Sequence, residues 1–212
     1  QRQICIRDSG NGDSRSSSDG NTSLGKKDVN IPYIASDNST PRSLVIAEVL
    51  KKAGYNVTTT PIQASGPLYA SVSQDSDSFH ASGIFPSTDK SFYNKFKSNL
   101  TVCDKKNLVD NVKVGLAVPK YEQVIDSISD LNSKKSTTSS NTGNSSNSFG
   151  KSVDWTIQGT DARNGVMKQT KSELDDGQLD KYSLKESSDQ DQFKTIQKAY
   201  KQQKPIVFTA ME

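Results

Sequence analysis

The sequence predicts an α/β protein with mostly parallel strands, built as two folded parts. Three observations lead there. From residue 28 onward, short β-branched runs alternate with amphipathic stretches of helical length. Helix start and stop residues punctuate that alternation, as at Thr40, Pro41 and Gly54. A Ser/Asn-rich tract, SKKSTTSSNTGNSSNSFGK over 133–151, is too polar to pack and separates one run of alternation from the next.

Taken in order, the first strand is expected over 29–35. Thr40 then caps a helix with Pro41 in its first turn, and Leu44, Val45, Ala47, Val49 and Leu50 form its apolar face before Gly54 ends it. A second strand is expected over 55–60, a short helix over 68–73 and a strand over 78–84. The stretch 87–97 reads as a helix with Phe92, Tyr93 and Phe96 on one side. The run VKVGLAV over 112–118 reads as a buried strand ended by Pro119. Past the tract, strands are expected over 153–157, 181–186 and 205–209, with helices over 163–174 and 189–202.

Composition narrows the function. Only 31% of the 212 residues are apolar and 24% are charged, but the excess polarity lies in 7–26 and 133–151. The net charge of +3 comes from interspersed signs, with no basic cluster interleaved with aromatics, so nucleic acid is not an expected partner. No apolar run is long enough to span a membrane. The stretch GNGDSRSSSDGNTSLGKK has the makeup of a flexible tether, and 1–27 is expected to be disordered. In secreted bacterial lipoproteins such a tether follows the lipidated cysteine, although Arg2, Gln3 and Ile4 before Cys5 make a poor lipidation box.

The inventory of reactive groups is thin. Two cysteines, Cys5 and Cys103, make neither a disulfide framework nor a four-ligand zinc site, and Cys103 reads as a buried inert thiol. A Ser/His/Asp arrangement would have to use His80, the single histidine, which reads as structural, and no G-x-S-x-G elbow occurs. Neither DSGNGDS nor DNST has the glycine pattern and lysine of a phosphate loop, and Asp175 with Asp176 reads as a solvated turn. Neither an enzyme nor a cofactor or metal site is expected.

The runs IPYIASDNSTPRSLVIAEVLKKAGYNVTTTPI, SGPLYASVSQDSDSFHASGIFP, VKVGLAVPKYEQVIDSISDL and DKYSLKESSDQDQFKTIQKAYKQQKPIVFTAME, in that order, resemble the glycine-betaine receptors of osmoprotectant ABC importers. The resemblance covers nearly everything from Val29 to Glu212 apart from the Ser/Asn tract. It implies a type II periplasmic-binding-protein-like clamp of two α/β lobes, each a mostly parallel sheet flanked by helices, with ligand held in an interlobe cleft. Lobe one is placed at 28–118, lobe two at 119–205 and a returning crossing strand at 206–212. The rest of the family's return to lobe one is missing from this sequence.

The same resemblance implies a glycine betaine, carnitine or choline class of ligand, delivered to an ABC permease. It also implies an extracytoplasmic monomer that meets the membrane only through an N-terminal lipid anchor. In the family the cation sits in a box of three tryptophans, because ring faces attract a methylated charge that cannot hydrogen-bond. Those positions fall on Tyr69, Ile84 and Met211 here, so two rings are lost. Phe85 replaces one only if the expected strand shifts register, since neighbours in a strand face opposite sides. Each desolvated cation–π contact is worth roughly 2 kcal/mol, so two lost contacts weaken binding by about a thousandfold.

The ligand carboxylate is implied to sit on backbone amides at the start of the lobe-two helix, which gives Gly165 and Val166 in GTDARNGVM. Arg163 beside them is a candidate bidentate donor. Plainer readings stand beside these. Tyr69, Ile84 and Met211 would also serve as packing residues, Arg163 as a solvated charge and Trp155 as core. The lost rings also leave open a diverged paralogue acting in adhesion or sensing.

Overall fold

The structure, a computed structural model, describes residues 3–5, 25–35, 39–103, 107–134, 136 and 148–211. The expected tether over 10–24 and most of the Ser/Asn tract lie outside the described residues. The chain divides into two compact units, Gln1–Asn111 and Val112–Glu212. The sequence reading ended lobe one at 118. The division falls earlier because the strand Val114–Ala117 hydrogen-bonds within the second unit.

In the first unit, β1 (Gln3–Cys5) and β4 (Thr101–Cys103) pair antiparallel, with Gln3 opposite Cys103. Residues 3–5 are therefore strand, where a tether was expected. Cys103 is disulfide-bonded, which corrects its reading as an inert thiol. The central pair is β2 (Asp28–Ile34) and β3 (Asn56–Ile62), parallel and in register from Asp28 opposite Asn56 to Ile34 opposite Ile62. The helix α1 (Ser39–Lys52) connects them, and Gly54 turns the chain at φ 95°, a conformation that a side chain disfavours.

The expected apolar face of α1 is corrected: Leu44, Val45 and Val49 are exposed, and the buried stripe is Ser39, Ser43 and Ala47. Small residues at i, i+4 and i+8 let the helix lie close to the sheet, with Ile46 and Leu50 filling in beside Val29, Ile31, Phe79 and Ala81. The expected strand over 78–84 reduces to one parallel bridge, Asn30 with Ser78, after which the chain runs as irregular backbone. The helices α2 (Ser65–Gln74) and α3 (Lys90–Phe96) enclose a second cluster of Leu68, Tyr69, Val72 and Phe92, against which Tyr93 and Phe96 pack.

The second unit is a four-stranded sheet. Its strands are β5 (Val114–Ala117), β6 (Thr156–Gln158), β7 (Ser183–Lys185) and β8 (Val207–Met211), in the order β5-β8-β6-β7. The pairs β6–β7 and β6–β8 are parallel and β5–β8 is antiparallel. β5 lies at an edge, so it is only half-buried where a buried strand was expected. Two short helices, α4 (Asp130–Ser133) and α5 (Phe149–Ser152), and two longer ones, α6 (Gly165–Asp175) and α7 (Asp189–Lys201), complete the unit. Leu131, Phe149, Ile157, Leu179, Tyr182 and Val207 form its core. Trp155 packs against that core with φ 51°, one residue before β6 rather than within a strand.

Candidate ligand-binding site

The start of α6 is built from the carboxyl end of β6, a strand flanked on both sides by parallel neighbours, which is where α/β sheets present binding loops. The loop between them is held from several directions. Gly159 N donates to Lys185 O at 2.8 Å, Ser187 N to Thr160 O at 3.0 Å and Ser187 Oγ to Gly159 O at 2.6 Å. Gln192 on α7 donates through Nε2 to Gln158 O at 3.0 Å and to Thr209 O at 3.1 Å, tying β6 to β8. Thr160 N donates to Met167 Sδ at 3.2 Å.

Gly165 is buried and Val166 half-buried at the first turn of α6, and the N-cap residue Asn164 makes no side-chain cap bond. The first-turn N–H groups thus end the helix without a side-chain acceptor, with the positive end of the helix dipole behind them. Asn164 adds a buried Oδ1 without a hydrogen-bond partner, while its Nδ2 donates to Thr160 Oγ1 at 3.3 Å. This end of α6 therefore combines donors for an anion with one unpaired acceptor.

Arg163 is exposed and already engaged. Its Nε donates to Asp161 Oδ1 at 2.8 Å, its Nη2 to Asp161 Oδ2 at 2.5 Å and its backbone N to Oδ1 at 2.9 Å. Those bonds hold the Asp161 carboxyl down at about 2. The fork that could grip a ligand carboxylate is folded onto its own loop.

Tyr69 belongs to the first unit and is 1% exposed. Its ring stacks on Phe92 with centroids 6.0 Å apart and meets His80 edge-on at 5.9 Å. Its hydroxyl donates to Asp89 Oδ2 at 3.2 Å, and burial raises its pKa. Ile84 and Phe85 are half-buried and lie outside any strand, so strand alternation does not set which way they face. Ile84 N donates to Asp89 Oδ2 at 2.8 Å, and Phe85 meets Tyr93 edge-on at 5.5 Å. Met211 ends β8 at 39% exposure, opposite Val114.

Sequence reasoning missed Asp89 and Asn164. Asp89 is 5% exposed and touches two of the expected site residues, and burial raises its carboxyl to about 6 despite two donors. Nothing in the sequence marked it, because Tyr69 comes from α2 and the Ile84 N–H is a backbone donor that no residue type announces. His80 is buried, with Nδ1 3.4 Å from Pro32 O, and burial lowers its pKa to about 4. A separate concavity of about 210 Å3 in the second unit lies between Leu116, Ile128, Thr170, Glu173, Leu174 and Leu179, along the body of α6 and away from its first turn. Among the described residues, no group of three or more His, Cys, Asp or Glu is placed to hold a metal, and no helix is long and apolar enough to cross a membrane.

Two α/β units whose sheets carry flanking helices, one with a bare helix start at the carboxyl end of a parallel strand, are the build of a solute-binding protein. Residues 27–212 match the family model described as the substrate binding domain of ABC-type glycine betaine transport system, and the chain belongs to that family. It is 32% identical over 117 residues to the glycine betaine/carnitine transport binding protein GbuC of Listeria monocytogenes, a match covering 55% of this chain and 38% of that protein.

Among solved structures it is similar to lactococcal OpuAC in its closed-liganded conformation complexed with glycine betaine, with TM-score 0.70 and 24% identity. That match covers 88% of this chain and 65% of the other. It is similar also to the glycine/betaine/L-proline-binding protein ProX of Borrelia burgdorferi, with TM-score 0.73, 23% identity and coverage of 88% and 63%. These likenesses establish a shared type II binding-protein fold. The chain spans less than two thirds of the length of each of these relatives.

Proposed function

We propose that this chain captures a small zwitterionic or quaternary ammonium solute of the glycine betaine, carnitine and choline class outside the cytoplasm. It then hands the solute to an ABC permease without covalent chemistry. The observation that carries the reading is the start of α6, an uncapped helix end on a braced loop in a chain of this family. A solute carboxylate takes the amides of Gly165 and Val166, and Arg163 stays with Asp161. The cationic end takes Tyr69 and Phe85, with Ile84 and Met211 as apolar walls. A protein that gives up rings at two positions recovers the cation affinity by another route or binds weakly.

Calorimetric titration of the chain with glycine betaine, carnitine, choline and proline betaine tests the reading. One-to-one binding of at least one solute at submillimolar Kd is expected. Absence of heat from all four at millimolar concentration overturns it and leaves the diverged adhesion or sensing paralogue as the better description.

A further inference from the structure

We propose that Asp89 is the counter-charge for the cationic head of the solute, doing by charge what the rings absent at positions 84 and 211 do not do. The inference rests on the function proposed above and adds a residue to it.

Four observations carry it. Asp89 is 5% exposed, and among the described residues it has no ion-pair partner, so its ionised form is a buried charge with no opposite charge beside it. Both of its hydrogen bonds, from Tyr69 OH and Ile84 N, fall on Oδ2, which leaves Oδ1 without a hydrogen bond among the described residues. The two donors, the Tyr69 hydroxyl and the Ile84 backbone N–H, belong to residues proposed above for the cation, so the carboxylate lies beside both of them. Finally, Asp89 is the N-cap residue of α3, yet its side chain makes no cap bond and instead reaches back to position 84. Helix capping therefore does not explain a carboxylate here.

Holding the turn over 84–89 needs an acceptor, and an asparagine oxygen supplies one. What asparagine lacks is charge. A trimethylammonium group donates no hydrogen bond, so only ring faces or an anion can compensate its desolvation. With rings missing at two positions, the buried carboxylate supplies what Tyr69 and Phe85 alone do not.

The test compares choline with 3,3-dimethyl-1-butanol, its uncharged carbon isostere, on the intact chain and on Asp89→Asn. For choline the variant is expected to bind about thirtyfold more weakly, the loss that follows from removing one partner of a buried charge pair. For the isostere it is expected to match wild type. Equal losses for both ligands would assign Asp89 a purely structural role and overturn the proposal, as would no loss for choline. A wild type that binds glycine betaine, with Asp89→Asn unchanged, overturns this inference while leaving the proposed function standing. A wild type that binds no quaternary ammonium compound overturns both.

If Asp89→Asn does not fold, wild-type choline binding from pH 7.5 to 5 replaces it. Of the groups around the carboxylate, His80 stays neutral to about pH 4 and Tyr69 stays protonated. Choline affinity is expected to fall on acidification and that of the isostere to stay level. A level choline profile contradicts the proposal.

Discussion

Substituting Gly159 by alanine tests how tightly the start of α6 is braced. A Cβ at this position would lie 2.5 Å from Met167 Sδ, 2.6 Å from Met167 Cε and 3.0 Å from Lys185 O. Comfortable separations between such atoms are nearer 3.5–4 Å. Met167 is buried and its sulfur accepts from Thr160 N, so it cannot swing away without giving up that bond and shifting the first turn of α6. Over-packing of this kind costs about 1–3 kcal/mol. In a unit of about a hundred residues, each kcal/mol lowers Tm by roughly 4–8 °C.

The assay is urea unfolding followed by the emission of Trp155, the single tryptophan, which packs on the core of the same unit. Truncating the obstacle with Met167→Ala should make Gly159→Ala nearly silent, a non-additivity that only direct contact produces. An unchanged midpoint for Gly159→Ala, or the same loss in both backgrounds, would refute the reasoning.

Gly150→Ala is expected to cost more than Gly159→Ala, at the upper end of about 1–3 kcal/mol, because the new Cβ would run into the rigid indole of Trp155, with Cη2 at 2.7 Å. A red-shifted Trp155 emission together with a lower urea midpoint checks it. Gln192→Leu leaves the carbonyls of Gln158 and Thr209 without their shared donor, so a loss of about 1–3 kcal/mol is expected in the same unfolding assay.

Stability against pH offers a further check. Asp89 binds its proton more tightly folded, at about 6, than unfolded, so it costs stability as pH rises from about 4 to 6. His80 binds its proton less tightly folded, at about 4, than unfolded, so it costs stability as pH falls from about 6.5 to 4. The two oppose each other in wild type. In Asp89→Asn the His80 contribution stands alone, and stability measured by circular dichroism should fall on acidification by up to about 1.4 kcal/mol per pH unit. A flat profile would contradict a neutral buried His80.

Local chemistry made much of the fold legible. Gly54, expected to end α1, does turn the chain there at positive φ, and the helix expected over 189–202 is found as α7. What escaped depends on distant partners or on size. The face of α1 was misread because hydrophobicity ranks Val45 and Val49 above Ser39 and Ser43, whereas close helix–sheet approach favours small side chains. The run over 78–84 reads as strand, but past the Phe79 N–H, which donates to Asn30 O, side chains enter the bonding, Arg42 donating to Ser82 Oγ and Asp89 accepting from Ile84 N. The disulfide at Cys103 follows from β1 lying beside β4, a pairing nearly a hundred residues apart that no spacing rule reports.

The proposed site rests on resemblance, taken position by position. Gly165 and Val166 do open a helix, and Arg163 does lie beside them, but its fork is occupied by Asp161, two residues away. Asp89 escaped because a carboxylate after a Pro-Ser-Thr turn looks solvated until the chain folds Tyr69 and Ile84 over it.

Nuclear magnetic resonance of the 15N-labelled chain during titration with glycine betaine tests the central claim most directly. The account expects the amides of Gly165 and Val166 to shift saturably at submillimolar ligand, in step with resonances of Tyr69 and Phe85. Unmoved amides at the start of α6 in the presence of ten millimolar solute would contradict it.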